Sequence, residues 1–157
     1  MEELFAGRAM DIPAMFQQMK RVADELCLPL GERKRTYNSR RAQELAKWAE
    51  AQGKGDEYHE AVFRVYFVEG KNIGKVGELI RLAQSLSFSG EEAQAVLKAG
   101  TFGREVDDDW SRARGLGITA VPTFVMHQQS MVGAQPYDIL EQWFMALKVN
   151  RRPSASP

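Results

Sequence analysis

The chain carries little with which to do redox or metal chemistry by itself. Of its 157 residues one is cysteine, Cys27, and two are histidine, His59 and His127. A single thiol excludes an intrachain disulfide framework and fits a reducing compartment. The histidines lie far apart in sequence, and neither belongs to a ligand-spaced set with cysteine or carboxylates, so no metal or other cofactor is expected. Net charge is also absent. The 21 Lys and Arg balance 21 Asp and Glu, leaving no overall field to attract nucleic acid or an anionic membrane. No stretch approaches the ~18 uninterrupted apolar residues of a membrane span. The start, Met1-Glu2-Glu3-Leu4-Phe5, lacks the basic segment and apolar run of a signal peptide. A cytoplasmic protein is expected, and the chain shows no internal repeat or low-complexity block.

What is present is ordinary globular material: 44 % apolar and 27 % charged residues, enough for one domain with a core. Helical spacing dominates to about residue 115. Asp11 is placed to cap a helix that opens at Ile12-Pro13 and carries Met15, Met19, Val22, Ala23 and Leu26. Asn38 or Ser39 opens a second, with Ala42, Leu45, Ala46 and Ala49 on one stripe and Gly53 beyond its end. Residues 59–68 are rich in β-branched and aromatic side chains, which favours a strand by propensity. The absence of alternation instead predicts a buried helix. Residues 75–86 place Val76, Leu79, Ile80, Ala83 and Leu86 on one face, and Ser89 with Glu92 forms a capping box. A further helix carries Val106, Trp110 and Ala113 and stops at Gly115 or Gly117.

The last third changes character. Gly117-Ile118-Thr119-Ala120-Val121-Pro122-Thr123-Phe124 leads into two strand-length stretches, 123–126 and 130–133, joined by His127-Gln128-Gln129 as an antiparallel hairpin. Pro122 fits the first residue of a strand, an edge or a turn, and X-Pro bonds are where cis peptides occur. Pro136 opens a final helix with Ile139, Leu140, Trp143, Phe144 and Leu147, and residues 150–157 read as a loose tail.

These motifs, in this order, are similar to the DsbA-like family of the thioredoxin superfamily, particularly its FrnE-type branch. Arg35-Thr36-Tyr37-Asn38-Ser39-Arg40 with Ala42, Leu45 and Ala46 resembles the entry to that branch's inserted helical region. Tyr66-Phe67-Val68-Glu69-Gly70-Lys71-Asn72-Ile73 resembles its next helix and turn. The segment from Gly117 to Phe124 resembles its cis-proline loop, and Gly133-Ala134-Gln135-Pro136 the turn before its last helix. The fold this implies is α+β, a truncated thioredoxin-like domain over 1–149. A helical insertion occupies about 10–116, and the cis-Pro hairpin with the last helix about 117–149. The family's first strand, Cys-x-x-Cys helix and second strand have no counterpart here.

Thiol exchange needs an attacking thiolate and a second thiol to resolve the mixed disulfide, and one cysteine cannot do both. The resemblance therefore implies a relative of thiol-disulfide oxidoreductases that is silent alone and acts as a binding or assembly module, with no catalytic residue assigned. Val121, Pro122 and Thr123 are its candidate substrate-contacting residues. One alternative is an oxidoreductase half that works with a separate Cys-x-x-Cys-bearing chain. Another is a glutathione-linked isomerase or transferase of the kappa type, which usually has Gly-Ser-Asp where this chain has Gly133-Ala134-Gln135. A lone hairpin leaves an unpaired strand edge, so the expected partner is a second copy meeting edge to edge, or a separate chain supplying the missing half. Peptide is the possible substrate.

Cys27 is expected to be a buried inert thiol. Arg33-Lys34-Arg35, Arg40-Arg41 and Asp107-Asp108-Asp109 are expected to be solvated. Met10, Met15 and Met19 are expected to be adaptable core, and Trp48, Trp110 and Trp143 to pack with one edge near solvent.

Overall fold

A computed structural model describes residues 12–32 and 35–149. Met10, Asp11, Arg33, Lys34 and the tail after Val149 lie outside the described residues. Seven α-helices and one hairpin follow in order: α1 (Ile12–Glu25), α2 (Arg40–Ala51), α3 (Gly55–Phe63), α4 (Val76–Ser85), α5 (Gly90–Ala99), α6 (Gly103–Gly115), β1 (Thr123–Met126), β2 (Gln129–Val132) and α7 (Tyr137–Ala146). A π-helical turn, Arg64–Val68, continues α3. The α+β reading holds, with the helices dominant. Chain contacts divide the protein into two compact units, one ending at Asp108 and one beginning at Asp109.

The first unit is organised around α2. Its stripe of small and branched side chains lets neighbouring helices approach closely, and Leu45 and Ala49 are fully buried. Tyr58 of α3, Leu79, Leu82 and Ala83 of α4, and Ala93 and Leu97 of α5 complete one apolar cluster with Trp48 and Ile73. Trp48 stacks at a tilt on Phe88, with ring centroids 4.7 Å apart. The Lys54 ammonium sits 5.1 Å from the Phe88 ring centroid and donates to the Leu86 carbonyl at 3.1 Å. One side chain thus ties the α2–α3 corner to the end of α4 through a cation–π contact and a hydrogen bond.

Helix ends follow local chemistry. The Asn38 side chain accepts from the Arg40 N–H at 2.9 Å, and the Ser89 hydroxyl accepts from Glu92 N–H at 3.2 Å. Five helices close with paired backbone bonds around a left-handed residue: Cys27, Gly53, Ser87, Gly117 and Lys148. This is the Schellman arrangement, which satisfies the last carbonyls of a helix.

Residues 59–68 are helical, yet the last five widen into i→i+5 bonding, with Glu69 N–H donating to the Arg64 carbonyl at 3.1 Å. Such insertions mark functional or strained positions. The Phe67 carbonyl accepts from Gly31 N–H at 2.9 Å, and a Cβ on Gly31 would overlap the Val68 carbonyl oxygen. Only glycine allows this approach.

One core expectation fails in the first unit. Met15 and Met19 are 37 % and 40 % exposed, and with Val22 and Leu26 they leave an apolar stripe of α1 open. Asp107 is exposed, as expected of a solvated face, and is also held in an ion pair. The Arg40 guanidinium grips it at 2.6 and 3.0 Å while also bonding the Glu44 carboxylate at 3.0 Å and the Gly103 carbonyl at 3.1 Å. Adjacent carboxylates of opposite sign to the guanidinium raise its pKa further, Asp107 foremost. Gly31→Ala should therefore destabilise the protein by about 2–3 kcal/mol, because the backbone carbonyl it meets cannot yield as a side chain would. Denaturant titration against the parent chain measures it, and an unchanged midpoint would show that the 28–32 segment relocates freely.

Candidate functional site

The second unit is built on the hairpin. Thr123 pairs with Val132, Phe124 with Met131, Val125 with Ser130, and Met126 with Gln129. The connecting turn has two residues, His127 and Gln128, both with positive φ, as a type I′ hairpin turn requires. The expected three-residue link and the 130–133 strand are each corrected by one position. Gln129 is drawn into the ladder because a two-residue turn matches the strand twist better.

That register settles where the backbone points. Residues flanking a two-residue turn form a hydrogen-bonded pair, and pairs alternate along an antiparallel ladder. Met126–Gln129 and Phe124–Met131 therefore face inward, and the sequence ends with Gly133 N–H donating to the Pro122 carbonyl at 2.8 Å. Thr123 and Val125 turn their N–H and C=O groups outward, on a β1 edge that carries no strand among the described residues.

The candidate residues Val121, Pro122 and Thr123 lie together at the start of this edge. The Val121–Pro122 peptide is cis, Val121 is 88 % exposed, and the Thr123 hydroxyl donates to the Ala120 carbonyl at 2.6 Å. The Gln135 carboxamide, in the turn before α7, donates to the Val132 carbonyl at 3.0 Å. From Asp107 to Val149 no described residue is buried. Val125, Val132, Tyr137, Ile139 and Met145 stand exposed, and Trp110 is more open than a packed tryptophan should be. No Asp, Glu, Lys or Arg occurs between Arg114 and Asp138.

The other titratable candidates are not drawn to the loop's unit as a set. Cys27 is exposed, not buried, because it occupies the left-handed closing position just past α1, where a side chain is directed away from the helix packing. His59 meets the Glu50 carboxylate at 3.3 Å on the surface, and His127 sits in the hairpin turn. Among the described residues no group of three or more His, Cys, Asp or Glu is placed to hold a metal ion.

One feature of the first unit escaped sequence reasoning. An apolar recess of about 330 Å³ lies between α2 and the α3–π segment, lined in part by Ala42, Tyr58, Val62, Phe63, Tyr66 and Phe67. The aromatic density of residues 59–68 was its only signal, and that density reads equally as core. Tyr58 is fully buried, and its hydroxyl has no hydrogen-bond partner among the described residues. Burial raises its pKa well above the ordinary phenol value.

Comparison with known proteins is informative at this point. The family model described as the DSBA-like thioredoxin domain matches residues 6–144. Uncharacterized protein YwbO of Bacillus subtilis (strain 168) is 31 % identical over 96 residues, covering 60 % of this chain and 48 % of that protein. The chain thus spans about half the length of the curated relative it matches. The crystal structure of a probable DsbA oxidoreductase from Streptomyces coelicolor superposes with a TM-score of 0.79 at 24 % identity, over 99 % of this chain and 70 % of that one. A 2-hydroxychromene-2-carboxylate isomerase superposes with a TM-score of 0.74 at 19 % identity, over 87 % of this chain and 67 % of that one. At these identities the likeness is one of fold.

Two outcomes follow from the site geometry. A thiol reagent should label Cys27 stoichiometrically without denaturant, and labelling only in denaturant would show it buried. Tyr58→Phe removes a buried hydroxyl with no partner and should stabilise the protein by about 1 kcal/mol. The raised folded-state pKa contributes stability present below about pH 10, the phenol's unfolded value. That contribution is lost as pH climbs above it, because only the unfolded chain ionises there. The variant should therefore lose less stability than the parent above about pH 10, as read by chemical denaturation at each pH. Parallel alkaline limbs would contradict the assignment.

Proposed function

We propose that this chain, which belongs to the DSBA-like thioredoxin domain family, is by itself silent in thiol–disulfide exchange and works as an assembly module that accepts another polypeptide strand along β1. One observation carries the reading: the outward backbone groups of Thr123 and Val125 line an edge with no strand on it among the described residues, in a stretch where none of them is buried. A domain of this fold needs that edge paired and those apolar side chains covered.

Silence follows from the thiol inventory. Exchange proceeds through a mixed disulfide that a second thiol resolves, and Cys27 is the chain's one cysteine. It lies at the end of α1, in the helical unit, while Val121, Pro122 and Thr123 belong to the hairpin unit. Val121, Pro122 and Thr123 are the residues that would meet an incoming strand first. Addition of a strand to an exposed edge draws affinity from main-chain hydrogen bonds and tolerates varied sequence.

A second reading makes the incoming strand part of a separate chain that bears Cys-x-x-Cys and restores an oxidoreductase site opposite Pro122. The exposed valines beside the edge favour it as much as they favour a redox-inert partner. The kappa-type reading ranks last, because Gly133-Ala134-Gln135 departs from the Gly-Ser-Asp pattern.

Insulin reduction with dithiothreitol alone as background tests the silence. Both the chain and its Cys27→Ala variant should run at the background rate. Turnover abolished by Cys27→Ala would establish a monothiol mechanism instead. Strand acceptance is read by fluorescence anisotropy of labelled, reduced insulin B chain. Binding should weaken about tenfold in Val125→Pro, which deletes one outward N–H and leaves the β1–β2 ladder intact. Equal binding by both proteins would move the contact away from β1.

A further inference from the structure

We infer that the strand seated on β1 is the β1 of a second copy of this chain, antiparallel about a two-fold axis through the Phe124 pair. The inference rests on the strand-accepting reading above and names its partner.

The register of the hairpin makes β1 complementary to itself. Thr123 and Val125 both present N–H and C=O outward, as their places in the ladder require. Set antiparallel with Phe124 opposite the partner's Phe124, Thr123 of one copy faces the partner's Val125. Those two residues exchange both hydrogen bonds. The symmetry-related pair does the same, so four outward donors find four acceptors with no group left over. Shifting the two copies by one residue would set inward-turned Phe124 groups against the outward groups of Thr123, and the pairing would be lost.

Charge and side chains agree with a copy as occupant. A second copy brings the same charges to the interface, so a self-pairing edge must be neutral or internally balanced. The segment between Arg114 and Asp138 contains no Asp, Glu, Lys or Arg, and none of the lysines that guard solvent-facing edges stands on it. The centre of the junction is a non-hydrogen-bonded pair, where side chains come closest. Phe124 occupies it in both copies, giving an aromatic cross-strand pair. Val125 and Val132 share one face of the hairpin and are 41 % and 54 % exposed. In the pair of copies these valines become one continuous apolar surface on a four-stranded sheet.

Sedimentation equilibrium on the full chain at micromolar concentration should give twice the 17.7 kDa chain mass. Val125→Pro deletes two of the four bonds across the junction and should raise the dissociation constant about thirtyfold. Register is tested by oxidation in the Cys27→Ala background. In Phe124→Cys the two substituted positions face one another with Cα atoms about 4.5 Å apart, within disulfide range. That variant should form a covalent dimer, whereas Val125→Cys, displaced from its own mate by two residues, should not. Circular dichroism matching the parent confirms that each variant is folded. A monomer that still binds insulin B chain through β1 overturns the two-fold pairing and leaves the strand-accepting reading in place. A monomer that binds nothing ends both. A dimer unaffected by Val125→Pro, or cross-linked equally by both cysteine variants, overturns the pairing as well.

Discussion

Burial of one face of α2 is the constraint on which the helical unit depends. Leu45 and Ala49 have no solvent exposure, and Ala42, Ala46 and Trp48 have almost none. Alanine on this stripe lets α3, α4 and α5 approach α2 closely, and the branched and aromatic side chains of those helices fill the space between. The polar edge of the same helix is held with equal economy. Arg40 lies in the first turn, where the helix dipole disfavours a cation. It is kept there by the Glu44 carboxylate one turn on and by Asp107 and the Gly103 carbonyl at the start of α6. Glu44 is buried and acquires its counter-charge from this contact. A guanidinium suits the position because its fork can meet three acceptors at once, which an ammonium cannot do with the same geometry.

The hairpin unit obeys a different logic. Its ladder is regular and its turn is chemically permitted, yet between Asp107 and Val149 no described side chain is buried. Apolar residues that would serve as core in a closed thioredoxin-type sandwich are open on both the strands and α7. Membership of the DSBA-like thioredoxin domain family explains why such residues are present, since in that architecture a sheet edge and two sheet faces must be covered. The two-strand sheet leaves the outer edge of β1 without a strand among the described residues. Main-chain donors at Thr123 and Val125, neutral surroundings and exposed valines lie together along that edge.

Much of this was legible in the sequence, for identifiable reasons. Helices with capping signals or steady apolar spacing, such as those led by Asn38 and Ser89, emerge within a residue or two of their observed limits. Their determinants are local. The 59–68 segment is helical as its lack of alternation implies, but no local signal marks the π turn at its end, where the Phe67 carbonyl accepts from the distant Gly31. Composition predicts a buried thiol at Cys27, whereas its place in the closing turn of α1 carries it outward. The same holds for Met15 and Met19, whose helical spacing says that they share a face and not what lies against it.

By itself, then, the sequence determined the order of elements, the hairpin and the family, because capping, periodicity and proline placement act over a few neighbouring residues. It also determined the thiol inventory, a single cysteine. Only the tertiary structure decided that Arg40 and Asp107 belong together, that Tyr58 is buried beside an apolar recess, and that Thr123 and Val125 are the residues whose backbone faces outward. These depend on contacts across many tens of residues and on a strand register in which one step exchanges every inward group for an outward one.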